Sequence, residues 1–169
     1  MPEEAVNSGF PPLQIEPRLV FPELAARTLE EALLEMAGNL AAAGVIRDPL
    51  ELAERLRRRE REGCTGLGKE GVAFPHCRMQ GLTDVVVSVG FSAPGIDFGT
   101  ADGRPIHLVF LLLSPWDAPA QHLQVLARLA RLASRTSDLP DQVRQAGSAE
   151  TIAHTLREAE AAASAAATT

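Results

Sequence analysis

The stretch Gly71-Val72-Ala73-Phe74-Pro75-His76-Cys77-Arg78 decides how the chain is read. Its apolar start reads as the end of a buried strand. Pro75 fixes its own φ, removes a backbone donor and biases Phe74 toward an extended conformation. His76 is therefore expected at a sheet edge just past a rigid corner, outside any regular element. Upstream, Thr65-Gly66-Leu67-Gly68-Lys69-Glu70-Gly71 is flexible backbone whose N–H groups suit an anion. Two readings of the stretch stand side by side. One is a nucleophilic imidazole engaged in group transfer; the other is a structural histidine satisfied in a turn.

Around it, composition narrows the choices. The 169 residues suit one domain, and with 46% hydrophobic but only 4% aromatic residues the core must be built from Leu, Val, Ile and Ala. A net charge of −6 argues against nucleic acid as the main partner. Cys64 and Cys77 lack metal-motif spacing and imply no disulfide framework, which fits a reducing compartment. The Met-Pro-Glu-Glu start is unlike a signal peptide, and no apolar run is long enough to insert in a membrane. The expectation is a soluble, cytoplasmic protein.

Residues 1–12 read as a loose lead-in, 13–160 as the domain and 161–169 as an alanine-rich, disordered tail. A short edge strand broken by Pro17 is expected over residues 13–20. Thr28 and Glu31 form a capping box for a helix carrying Leu29, Leu33, Met36, Ala37 and Leu40 inward and ending near Gly44. Asp48-Pro49 opens a second helix that runs into a charged stretch and stops at Gly63. There Arg55, Arg57 and Arg58 read as a solvated last turn, whereas Arg59 is set apart because the chain returns from it toward His76. Residues 84–91 read as a strand and 106–113 as a central strand buried on both faces; His107, within it, is assigned no role. Asp117 is a good N-cap for a long helix with a buried stripe of Leu123, Leu126, Leu129, Ala130 and Ala133, and Arg128, Arg131 and Arg135 lie off that stripe. His122 falls in or near the first turn, where the helix's positive end favours an anion; alone it reads as an ordinary exposed residue. Asp138 and Ser148 open two further helices, with His154 on the surface. The pattern gives an α/β (α+β-like) fold, a mixed sheet with helices on both faces.

Several chemistries fit poorly. The glycine loop fails the Walker pattern because Lys69 precedes Glu70 rather than Ser or Thr, and it lacks the strand–glycine–helix order of dinucleotide binders. Zinc held by His76, Cys77, His107 and His122 has no supporting motif. A Cys-His hydrolase built on Cys77 has nothing specific behind it. No cofactor or metal is implied.

Taken together, Arg59-Glu60-x-x-Gly63-x-Thr65-Gly66-x-Gly68, then Gly71-Val72-Ala73-x-Pro75-His76, then Ala101-Asp102-Gly103-x-Pro105, Pro115 and His122-Leu123 tell more. This set resembles the enzyme IIA proteins of the fructose/mannitol class of the bacterial phosphoenolpyruvate:sugar phosphotransferase system, closest in look to the nitrogen-regulatory type. The resemblance implies a five-stranded mixed sheet, with His76 as phosphoryl acceptor, His122 as phosphate support and Arg59 as charge stabiliser. Thr65, Gly66 and Gly68 would form a phosphate loop. It also implies an HPr-type phosphohistidine carrier, or its nitrogen-branch relative, as donor, and a regulated target or a sugar permease domain as the next partner. Two other roles remain alongside regulation, a sugar-transport phosphotransferase and a non-phosphorylated interaction module. Two features depart from the family pattern. Lys69-Glu70 stands where one residue is common, expected to bulge outward. Cys77 replaces a glycine, where it would crowd the partner surface or make the site sensitive to oxidation.

Overall fold

A computed structural model describes residues 12–166, so the expected lead-in falls almost wholly outside the described residues. After a 3-10 turn at Pro17–Leu19 come β1 (Val20–Phe21), α1 (Leu29–Ala42), α2 (Pro49–Glu62), β2 (Val72–Ala73) and β3 (His76–Met79). They are followed by β4 (Val86–Ile96), β5 (Ile106–Pro115), α3 (Pro119–Arg135), α4 (Leu139–Ala146) and α5 (Ala149–Ala165). The five strands form one mixed sheet in the order β1-β4-β5-β2, with β3 also on β5. Only the β4–β5 pairing is antiparallel.

The sheet is centred on β5, whose residues are buried on both faces, as its nearly continuous apolar sequence requires. Leu108, Phe110 and Leu112 pack toward Leu129, Leu132, Ile152 and Leu156 of α3 and α5. Val109, Leu111 and Leu113 pack toward Leu33, Met36, Leu40, Leu52 and Leu56 of α1 and α2. The helix starts follow local chemistry. Thr28 accepts from the Glu31 N–H at 3.3 Å, and Asp48 from the Glu51 N–H at 3.0 Å. The Glu31 carboxylate reaches past the cap residue and accepts from the Arg27 N–H instead.

Tertiary packing alters several expectations. His76 opens β3 rather than standing outside regular structure. Val72 lies opposite Leu108 and His76 opposite Leu112, so one register runs unbroken across Phe74-Pro75. Pro75 is tolerated because its carbonyl faces β5, accepting from the Leu112 N–H at 2.9 Å, and its missing donor is not needed. The N-cap of α3 is Ala118 with no side-chain cap bond, not Asp117. The buried stripe of α3 is turned as well: Leu123 is 67% exposed while His122 is buried with Leu129, Leu132 and Ala133. A stripe read from apolar residues alone misses it because its first member is a histidine. Arg128 belongs to that buried side too, its Nε 3.1 Å from the buried carboxylate of Glu160. The alanine-rich end, expected to lose order from 161, is helical through Ala165. Ala163 is buried and its carbonyl accepts from Arg135. Residues 167–169 of that tail lie outside the described residues. Among the described residues, no helix is long and apolar enough to cross a membrane.

Phe110 is fully buried and its ring stacks on that of Phe74, centroids 5.8 Å apart. Phe110→Ala should cost about 3–5 kcal/mol, read as a lowered urea midpoint at unchanged slope.

Candidate active site

The site is assembled where β3, an edge strand, passes between α2 and the start of α3. Alternation along β3 sends Cys77 and Met79 toward the cluster packed under α1 and α2. His76 and Arg78 therefore project to the other side of the strand, where α3 begins. The two imidazoles meet there, ring centroids 5.2 Å apart.

The orientation of His76 is set by a hydrogen-bonded path from α2. Glu60, buried at 6% exposure near the end of that charged helix, accepts from both the Thr65 N–H at 2.9 Å and the Thr65 hydroxyl. The Thr65 hydroxyl oxygen accepts from the Phe74 N–H at 3.2 Å. The Phe74 carbonyl lies 2.7 Å from His76 Nδ1. A carbonyl only accepts, so Nδ1 carries the proton and Nε2 keeps the lone pair. Burial holds the His76 pKa below its usual value, the Phe74 carbonyl opposes this, and the Arg59 charge lowers it further. The ring is thus neutral at pH 7.

His122 Nδ1 is 2.8 Å from the buried Ser114 hydroxyl. Burial first, then competition with the His76 ring for a proton and the Arg78 and Arg59 charges, pushes its pKa down to about 4. The two rings share a cavity of about 490 Å³ with Arg55, Arg58, Arg59, Glu62, Cys77, Arg78 and Trp116. Arg59 also gives Nη1 to the Gly63 carbonyl at 3.3 Å. Among the expected site residues, His76, His122 and Arg59 therefore converge.

The expected phosphate loop does not join them. None of Thr65, Gly66 and Gly68 lines this cavity. Thr65 sits behind the histidine in the path just described. The Gly66 N–H points at the Cys64 sulfur, and Gly68 packs so closely on Asp102 that a Cβ there would fall 2.0 Å from Oδ1. The reason is local: Leu67 pairs with Val72 across a tight turn, with Gly71 at φ +69°, which folds the loop onto itself. Lys69 and Glu70 lie in that turn, Lys69 exposed and Glu70 half-buried.

Cys77 is half-buried and burial pushes its thiol up to about 11, so it stays a protonated thiol and the expected oxidation sensitivity is not supported. Arg55 and Arg58, read from sequence as solvated, face the cavity, whereas Arg57 pairs with Glu54 at 3.4 Å. Glu60, Ser114 and Arg78 were not assigned from sequence. The available signal was a glutamate five residues before a threonine across a helix end; for the other two there was none, because sheet register brings them in. His107 accepts a structural role, Nδ1 at 2.9 Å from the Ser92 carbonyl.

A cleft of two neutral imidazoles and several guanidiniums suits an anion, and comparison with known proteins gives the family. The family model described as phosphoenolpyruvate-dependent sugar phosphotransferase system, EIIA 2, matches residues 14–159. The chain belongs to that family. It is 36% identical over 124 residues to a nitrogen regulatory protein of Pseudomonas aeruginosa, covering 73% of this chain and 79% of that one. It is 33% identical over 123 residues to the fructose-specific EIIABC component of Bacillus subtilis, covering 73% of this chain but 19% of that larger protein. The crystal structure of nitrogen regulatory protein IIA-Ntr from Neisseria meningitidis superposes with a TM-score of 0.71 at 26% identity, covering 83% of this chain and 94% of that one. The mannitol IIA of Escherichia coli shares the fold, with a TM-score of 0.69 at 21% identity over 85% of this chain and 99% of that one. This EIIA is therefore of the fructose/mannitol class and close to its nitrogen-regulatory branch, a carrier or regulator within the phosphotransferase system.

Two outcomes follow from the geometry. Thr65→Val removes the hydroxyl that bonds the buried Glu60 carboxylate and the Phe74 N–H, and should cost about 1–3 kcal/mol in urea unfolding. His122 has a folded pKa of about 4 against an unfolded value of 6.5, so below pH 6.5 the unfolded chain binds the proton first. Stability should fall as pH drops from about 6.5 to about 4 and then level off with respect to this group. Urea midpoints across that window should slope less in His122→Gln.

Proposed function

We propose that His76 Nε2 of this EIIA accepts a phosphoryl group from an HPr-type phosphohistidine carrier, of the sugar or nitrogen branch, and that the protein acts as a phosphorylation-dependent regulator. The observation that carries this reading is the Nδ1–H bond to the Phe74 carbonyl, which leaves the Nε2 lone pair available beside Arg59 and His122. In the transfer, the donor's N–P bond breaks as the Nε2–P bond forms. The donor ring regains its lone pair, and the His76 proton stays on Nδ1. No proton has to leave, so the site needs no general base. A loose phosphoryl transition state asks for in-line positioning and positive charge. Arg59 supplies the charge. In this reading the Ser114 hydroxyl, 2.8 Å from His122 Nδ1, donates to it, so the Nε2–H of that neutral ring holds a phosphoryl oxygen.

The regulatory role is supported by the likeness to nitrogen regulatory proteins. A second reading, delivery of phosphate to a sugar permease domain, rests on the match to the fructose-specific EIIABC component. Incubation with phosphoenolpyruvate, enzyme I and the cognate HPr-type carrier should place acid-labile label on the protein and none on His76→Ala. Arg59→Ala should label about 10²–10³ times more slowly. Label on His76→Ala would refute the acceptor, and an unlabelled native protein would favour an interaction module. Onward transfer to a fructose-type IIB domain would favour the transport role.

A further inference from the structure

His76 lies opposite Leu112, toward the end of β5. Another imidazole, His107, stands near the start of the same strand and takes no part in the cleft. Opposite it β4 is bulged. Phe91 faces Leu108 and Ile96 faces Ile106, so residues 92–95 stand against His107 alone. His107 Nδ1 lies 2.9 Å from the Ser92 carbonyl, and the Gly95 N–H donates to the Ser92 hydroxyl oxygen at 3.2 Å. A carbonyl only accepts, so Nδ1 carries the hydrogen and the neutral ring keeps its lone pair on Nε2. That nitrogen has no hydrogen-bond partner among the described residues. Both ring carbons beside it border glycine. A Cβ on Gly71 would fall 3.7 Å from Cδ2, and one on Gly95 3.1 Å from Cε1. With φ of +69° and +96° these positions favour glycine, and neither puts a side chain over the free edge of the ring.

His107 lines a depression of about 310 Å³ bounded by the 68–71 turn, the start of β5 and the start of α4. It shares no residue with the cleft at His76. Lys69 and Arg104 bring positive charge to it; Glu70, Asp138 and Asp141 bring negative charge. The side chains of Lys69 and Glu70 have no partner among the described residues. Arg104 lies 3.8 Å from Asp102 and Arg144 lies 3.3 Å from Asp141, exposed pairs that hold their charges only weakly. Asp138 accepts from the Gln142 carboxamide at 2.9 Å. With these neighbours included, carboxylates outnumber cations. A simple anion would meet the carboxylates and a simple cation would meet Lys69 and Arg104, so each is opposed. At about 30 Å³ of liquid volume per water, the depression has room for about ten heavy atoms.

We infer that this depression binds a free basic α-amino acid. Its α-carboxylate lies against Lys69 and Arg104, and its α-ammonium donates to His107 Nε2. The side-chain ammonium meets Asp138 and Asp141. One small molecule then satisfies charges of both signs and the unpartnered ring nitrogen. The site stands apart from the phosphoryl acceptor proposed above and does not depend on it.

Calorimetric titration of the full chain with L-lysine tests this, with cadaverine, hexanoate and L-glutamate for comparison. L-Lysine should saturate a single site. Cadaverine lacks the carboxylate, and L-glutamate turns a second carboxylate toward Asp138 and Asp141; each should bind about tenfold more weakly. Hexanoate, without an ammonium group, should give no saturable heat. His107→Asn keeps a donor for the Ser92 carbonyl but removes Nε2, and should weaken L-lysine about tenfold. Lys69→Gln/Arg104→Gln, at two exposed positions, should bring L-lysine down to the affinity of cadaverine. No saturable binding of L-lysine, equal binding of cadaverine or hexanoate, or native affinity in either variant would overturn the site. Should His107→Asn lower the urea midpoint, the Lys69→Gln/Arg104→Gln variant decides, and native affinity there refutes the proposal.

Discussion

The peptide units flanking Phe74 hold the site together. The Phe74 N–H is tied to Thr65 and through it to the buried carboxylate of Glu60, while its carbonyl takes the Nδ1 proton of His76. Its side chain is stacked on Phe110 of the central strand. One residue therefore couples the hydrophobic core, the end of α2 and the tautomer of an imidazole. Each of these contacts restricts the others, so the ring keeps its lone pair in a set direction without any external partner.

That restriction matters because the histidine sits on an edge. Edge strands present unpaired backbone and little packing on their outer side, and β3 has β5 on one side only. What closes the other side is charge: the second half of α2 lays its arginines along β3, and α3 brings His122 in from the opposite face. The result is an open cleft with rigid walls. Neutral imidazoles inside a cationic rim follow from the same arrangement, since burial and nearby guanidiniums both disfavour the imidazolium forms.

The cleft collects four guanidiniums, those of Arg55, Arg58, Arg59 and Arg78. Arg59 and Arg78 both act on the histidines, whereas Arg55 and Arg58 extend the positive field along α2. Charge placed at the rim governs encounter and partner choice more than the chemical step.

Much of this was legible in the chain itself. The two capped helices, the doubly buried strand β5 and the Pro75-His76 corner all follow from local patterns, because caps, turns and long apolar runs are written in neighbouring residues. The grouping of Arg59, His76 and His122 was legible only through resemblance, since no spacing brings residues 59, 76 and 122 together. Tertiary structure alone decided the rest. It continued β2 through a proline into β3, because only the register on β5 shows which way the Pro75 carbonyl points. It turned α3 so that a histidine, not Leu123, is buried, because a bond to Ser114 on another element outweighs apolar patterning. It spent the glycine loop on its own turn and on Asp102, where sequence offered it to an anion. Local order is set by residues close in the chain; which nitrogen of His76 is free, and what surrounds it, is set by partners that only folding brings within reach.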